Sequence, residues 1–130
     1  MDEDDLKDNK IDFVFMGSVL QYLENYKSIL KLIFKTDPKY IFISGQNCYE
    51  NLISGNEYIL YKQLNVLPQV NSGLLYHLGS LEKFFKENGW GLISKSETNF
   101  DHYRNFKKIN KEVGYISNLD LIFEKIPKRL

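Results

Sequence analysis

Residues 11–16, Ile-Asp-Phe-Val-Phe-Met, constrain the fold more than any other stretch of this chain. Only Asp12 interrupts the apolar run, which stops at Gly17-Ser18 and gives way to Val19-Leu20-Gln21-Tyr22-Leu23. A short apolar run closed by a small-residue turn predicts a strand buried on both faces, as in a parallel sheet covered by helices. In open α/β sheets, ligands bind just beyond the carboxyl ends of such strands. Gly17 to Tyr22 is therefore the first candidate for chemistry.

The pattern downstream extends this reading. Tyr26, Ile29, Leu30 and Ile33 form one apolar stripe, with Asn25 as N-cap, and predict a helix to about Lys35. Asp37-Pro38 ends it, and Tyr40-Ile41-Phe42-Ile43 predicts a second strand stopped by Ser44-Gly45. Strand, helix, strand make a βαβ unit with a right-handed crossover. Residues 45–79 read as a long insert with one extended segment near Glu57 to Val66 and a turn at Asn71-Ser72-Gly73. Ser80 is expected to cap a helix that turns Leu81, Phe84 and Phe85 inward and stops at Gly89. Trp90 to Ser94 reads as a strand. A final antiparallel strand follows over 113–123, with Val113, Tyr115, Leu119, Leu121 and Phe123 on one face.

Composition bounds the function. The chain has 130 residues, 43% hydrophobic and 26% charged, with nine Tyr and nine Phe, which suits one soluble globular domain. Residues 1–10 form an acidic leader. Lysines and arginines equal acids at 17 each, which argues against a dedicated nucleic-acid binder. Basic clusters at Lys107-Lys108…Lys111 and Lys125…Lys128-Arg129 read as solvated surface, the alternative being contact with an anionic acceptor. Cys48 is the single cysteine, so no intrachain disulfide or cysteine-based zinc site can form, which fits a reducing, cytoplasmic setting. No apolar segment approaches the ~20 residues needed to span a bilayer. Neither His77 nor His102 sits in an H-x-x-H or H-E-x-x-H spacing, so no metal site is expected.

Three stretches carry a family resemblance. Ile11-Asp12-Phe13-Val14-Phe15 with Ser18-Val19-Leu20-Gln21-Tyr22-Leu23 resembles the fourth strand, and the turn after it, of class I S-adenosylmethionine-dependent methyltransferases. Lys39 to Ile43 resembles the fifth strand. Ser80 to Trp90, ending in Asn88-Gly89-Trp90, resembles the helix leading into the sixth. More narrowly, the chain resembles a bacterial family classed as methyltransferases and associated with surface-polysaccharide genes. The resemblance implies an α/β fold: a partial Rossmann-like sheet matching the fourth to seventh strands, the last pair antiparallel, with flanking helices. No G-x-G-x-x-G is present, and Gly17, Gly45, Gly55, Gly73 and Gly79 are scattered. By the resemblance, Met1 falls just before the fourth strand and the principal cofactor loop is missing. The chain then reads as the C-terminal part of a larger domain (a fragment, a split gene product or a misplaced start), inactive alone.

The resemblance and the positions at the strand ends and in the insert together give the expected roles. Gly17, Ser18 and Val19 border the cofactor, S-adenosylmethionine. Gln21, Tyr22, Gln46 and Asn47 face a small-molecule or saccharide acceptor, and His77 is the candidate base where the acceptor is a hydroxyl. Each has a plainer alternative: a strand-to-helix turn for Gly17-Ser18, core packing for Tyr22, a packed or surface position for His77, and a buried hydrophobe for Cys48. A non-catalytic α/β interaction module or degenerate remnant is the competing function. In either case the edge at Ile11–Met16 is expected to pair with a missing N-terminal half or with another copy of the chain.

Overall fold

A computed structural model of the chain describes residues 11–50, 57–64, 70–97 and 116–127. The elements are β1 (Phe13–Gly17), a 3-10 turn (Leu20–Tyr22), α1 (Tyr26–Lys35), β2 (Tyr40–Tyr49), β3 (Tyr58–Leu64), β4 (Val70–His77), α2 (Leu78–Glu87), β5 (Trp90–Glu97) and β6 (Ile116–Lys125). They form one mixed sheet in the order β3-β4-β2-β6-β5, with β1 parallel to β2. The run β1-β2-β6-β5 is the part expected to match the fourth to seventh methyltransferase strands, and β6 is antiparallel to both neighbours.

Strand β2 organises the sheet. Its whole length pairs with β6 on one side. On the other side its first half pairs with β1, from Tyr40 to Ser44, and its end pairs with β4 at Cys48 and Tyr49. The expected stop at Ser44-Gly45 is instead a bulge, where the register with β6 shifts between Ile43 and Gln46. Gly45 has φ +69°, a conformation that glycine adopts without a Cβ penalty. Asp120 fills the gap by accepting from the Ser44 hydroxyl (2.9 Å) and the Gly45 amide (3.0 Å). The pairing thus survives the small residues, and the strand runs on to Tyr49.

The 45–79 stretch differs from expectation as well. It holds the end of β2 and a two-stranded hairpin, and Asn71, Ser72 and Gly73 lie inside β4, paired with Gln63, Lys62 and Tyr61. A full ladder of cross-strand pairs outweighs the local turn preference of three small residues.

Both helices cover one face of the sheet. Leu30, Ile33 and Phe34 of α1 and Leu78, Leu81 and Phe85 of α2 pack with Met16, Ile41, Ile43, Leu121 and Phe123. Phe85 stacks on Phe123 (3.8 Å between centroids), and Phe34 stacks on Trp90 (4.8 Å), whose indole donates to the Pro38 carbonyl. Of the expected final-strand face, Leu119, Leu121 and Phe123 are buried, while Val113 and Tyr115 lie outside the described residues. Asn25 is the N-cap of α1 without a side-chain bond, and Gly89 (φ +104°) follows α2 as expected. The cap of α2 is His77 rather than Ser80.

The opposite face corrects the first expectation. Phe13 and Phe15 are 52% and 58% exposed, so β1 is buried on one face only. The reason is the single-sided placement of α1 and α2: alternation turns Val14 and Met16 toward them and Phe13 and Phe15 away. Phe42 of β2 gives the two rings their neighbour, at 6.5 and 5.2 Å.

Candidate functional site

The carboxyl ends of β1 and β2 meet in a constrained backbone. Ser18 has φ +51°, and its amide donates to the Ser44 carbonyl at 2.8 Å. A Cβ on Gly45 would lie 2.6 Å from the Ser18 Oγ. A non-glycine residue in this region costs about 1–2 kcal/mol, which the bulge and its Asp120 clamp offset. Gly17 is partly buried, and Ser18 and Val19 are exposed.

The 3-10 turn follows. Leu20 is buried, and its carbonyl accepts from the Tyr76 hydroxyl at 2.8 Å, tying the turn to β4. Burial pushes the Tyr76 phenol above its ordinary range, so it stays a donor. Gln21 is 1% exposed, and among the described residues its Oε1 has no hydrogen-bond partner. Tyr22 is 48% exposed, so core packing is not its role. Both line a cavity of about 330 Å³ together with Glu24, Leu60, Gly73 and Leu74.

Gln46 and Asn47 sit beyond the bulge inside β2, both buried. Being neighbours in a strand they point to opposite faces, so they do not share the one crevice expected of them. Gln46 donates to the Asn47 carbonyl (3.0 Å) and keeps an unpartnered Oε1. Asn47 accepts from Asn118 (2.9 Å) and keeps an unpartnered Nδ2 among the described residues. A buried amide atom left unpaired costs about 1–3 kcal/mol, and such atoms mark places where a partner completes the structure.

His77 is committed to structure. Its Nδ1 accepts from the Ser80 amide (3.1 Å) with the Ser80 hydroxyl at 2.8 Å, so the ring proton sits on Nε2, which meets the Glu50 carbonyl at 2.8 Å. Neither nitrogen is open to an acceptor in this arrangement. Cys48 is 1% exposed, and burial pushes its thiol up to about 12, which leaves a small hydrophobe and no nucleophile. His102, Lys107, Lys108, Lys111, Lys128 and Arg129 lie outside the described residues, whereas Lys125 pairs with Asp37.

Three residues escaped the sequence reading. Asp120 holds the bulge, Asn118 holds Asn47, and Glu24 borders the cavity. Asp120 alone left a signal, as an acid between two leucines of an alternating strand.

A sheet with parallel β1 and β2, an antiparallel strand between β2 and β5, and two helices packed on it defines a Rossmann-like α/β protein. No family model matches the chain, and no curated protein does. Solved structures do match. A candidate S-adenosylmethionine-dependent methyltransferase from Listeria monocytogenes aligns with a TM-score of 0.59 at 11% identity, over 94% of this chain and 67% of that one. An S-adenosylmethionine-dependent methyltransferase from Clostridium acetobutylicum aligns with a TM-score of 0.51 at 11% identity, over 98% of this chain and 63% of that one. The fold is that of the class I S-adenosylmethionine-dependent methyltransferases, of which this chain spans about two thirds. Among the described residues no helix is long and apolar enough to cross a membrane.

Proposed function

We propose that the chain is the C-terminal portion of an S-adenosylmethionine-dependent methyltransferase and supplies the acceptor-side wall of its active site. The observation that carries this reading is the buried, unpartnered Oε1 of Gln21, in the 3-10 turn just beyond the carboxyl end of β1. In this reading Gln21 and Tyr22 orient the acceptor from the 3-10 turn. Gln46 and Asn47 complete hydrogen bonds on either face of β2. Gly17, Ser18 and Val19 border the cofactor, because the turn there brings backbone, rather than long side chains, to the strand end. These residues fit one edge of S-adenosylmethionine, not a full enclosure. When bound, the cofactor supplies an electrophilic methyl group on sulfonium, and the protein's part is alignment. With both ring nitrogens engaged, His77 positions α2. The reducing, cytoplasmic setting of Cys48 belongs to the same reading.

Calorimetric titration of S-adenosylmethionine into the purified chain, with and without a candidate N-terminal half, tests it. Binding only in the combined sample is expected, and tight binding by the chain alone would overturn the division of labour. A second reading, a non-catalytic interaction module, is favoured by the exposed Phe13 and Phe15 face. It predicts stable association with no cofactor binding in either sample.

A further inference from the structure

The cavity beneath the 3-10 turn has a composition that selects its ligand. Its lining joins the turn (Gln21, Tyr22), the start of the following loop (Glu24) and the β3–β4 hairpin (Leu60, Gly73, Leu74). Among these residues Glu24 carries the only charge, and no lysine or arginine is present. The Gln21 Oε1 is an acceptor that no described residue serves, in a side chain 1% exposed. Leu60 and Leu74 add apolar wall, and Gly73 offers backbone alone. A volume of about 330 Å³ suits a small molecule.

We propose that this cavity binds a primary amine carried on a small apolar body. The ammonium donates to the Gln21 Oε1 and the Tyr22 hydroxyl and lies in the field of Glu24, while the body rests on Leu60 and Leu74. Among the described lining residues an anionic group meets the carboxylate of Glu24 and no cation, and a neutral hydroxyl forgoes the charge. The proposal rests on the acceptor-wall reading only for the amine's role as methyl acceptor; the binding chemistry stands without it.

The test is an NMR titration of the full chain with cyclohexylamine, cyclohexanol and cyclohexanecarboxylate, each with and without S-adenosylhomocysteine. The amine is expected to bind about tenfold more tightly than the alcohol, with shifts at Gln21, Tyr22 and Leu74, and the carboxylate to give no saturable shift. Glu24→Gln, an exposed change, is expected to remove the preference for amine over alcohol. Gln21→Met is expected to weaken amine binding about tenfold. Equal binding of amine and alcohol, saturable binding of the carboxylate, or wild-type amine affinity in Glu24→Gln would overturn the proposal. Amine binding that is indifferent to S-adenosylhomocysteine, with or without an N-terminal half, supports the amine pocket and sinks its place in methyl transfer.

Discussion

Gly45 does two jobs that no other residue type can combine: it turns the backbone to φ +69° at the bulge and leaves room for the Ser18 Oγ. Gly45→Ala is expected to lower stability by about 1–2 kcal/mol, chiefly from the left-handed backbone, as read from the urea midpoint. Ser18→Gly in the same background is expected to recover part of that loss, since it removes both the nearby hydroxyl and the second positive-φ side chain. His77 gives a second residue-level test. His77→Ala removes the α2 cap and the bond to the Glu50 carbonyl, and is expected to cost about 1–2 kcal/mol in thermal or urea unfolding. His77→Asn keeps a capping side chain and is expected to restore most of it; a variant as unstable as the alanine would refute the cap assignment.

Single elements show where the sequence was legible. Helix α1 and the core faces of β2 and β6 follow from apolar spacing, because their side chains meet a buried surface at a fixed period. Three features were hidden for a physical reason. The Ser44-Gly45 pair resembles a strand stop, and only Asp120, 75 residues away from Gly45, makes it a bulge. Asn71-Ser72-Gly73 resembles a turn, and only the facing β3 makes it a strand. The face turned outward at Phe13 and Phe15 depends on which side α1 and α2 choose, which no local pattern records. At the candidate site, the amide residues and the turn were legible as types at a strand end, but not their faces or free atoms. One tether between elements is testable by pH. Glu57, at the start of β3, bonds Lys27 and Tyr26 of α1, and the Lys27 hydrogen bond foremost lowers its carboxyl below the ordinary 4.5. A depressed carboxyl contributes stability above its unfolded value and loses it as pH falls through the folded one. The gap in melting temperature between wild type and Glu57→Gln is therefore expected at neutral pH and should close on acidification below about 4.5. A gap that fails to narrow as pH falls from about 7 to about 3 would dismiss the tether.

At the scale of the whole molecule, the sheet face away from the helices is buried around Tyr49 and Leu75 but leaves the Phe13 and Phe15 rings of β1 in contact with solvent. Exposed parallel strand is rare because its open edge and apolar side chains recruit other chains. The isolated chain is therefore expected to self-associate through β1 and the Phe13–Phe15 face. Phe15→Ser, which keeps the buried Val14 and Met16, is expected to raise the monomer fraction in sedimentation velocity without shifting the far-UV circular dichroism. A wild-type chain that sediments as a monomer at tens of micromolar would contradict this.

Among the described residues the hairpin β3–β4 is registered to the rest of the sheet at two positions, Cys48↔Tyr76 and Tyr49↔His77. Its own ladder runs from Tyr58↔Tyr76 to Leu64↔Val70 and depends on no other strand. Side chains make up for so narrow a backbone attachment: Leu74 and Tyr76 join the core beside Leu20 and Leu30, and the Tyr76 hydroxyl holds the 3-10 turn. The hairpin is therefore open to redrawing at its Leu64↔Val70 end, whereas a change near Tyr76 reaches the core and the 3-10 turn together, so ligand preference and stability are coupled through one strand.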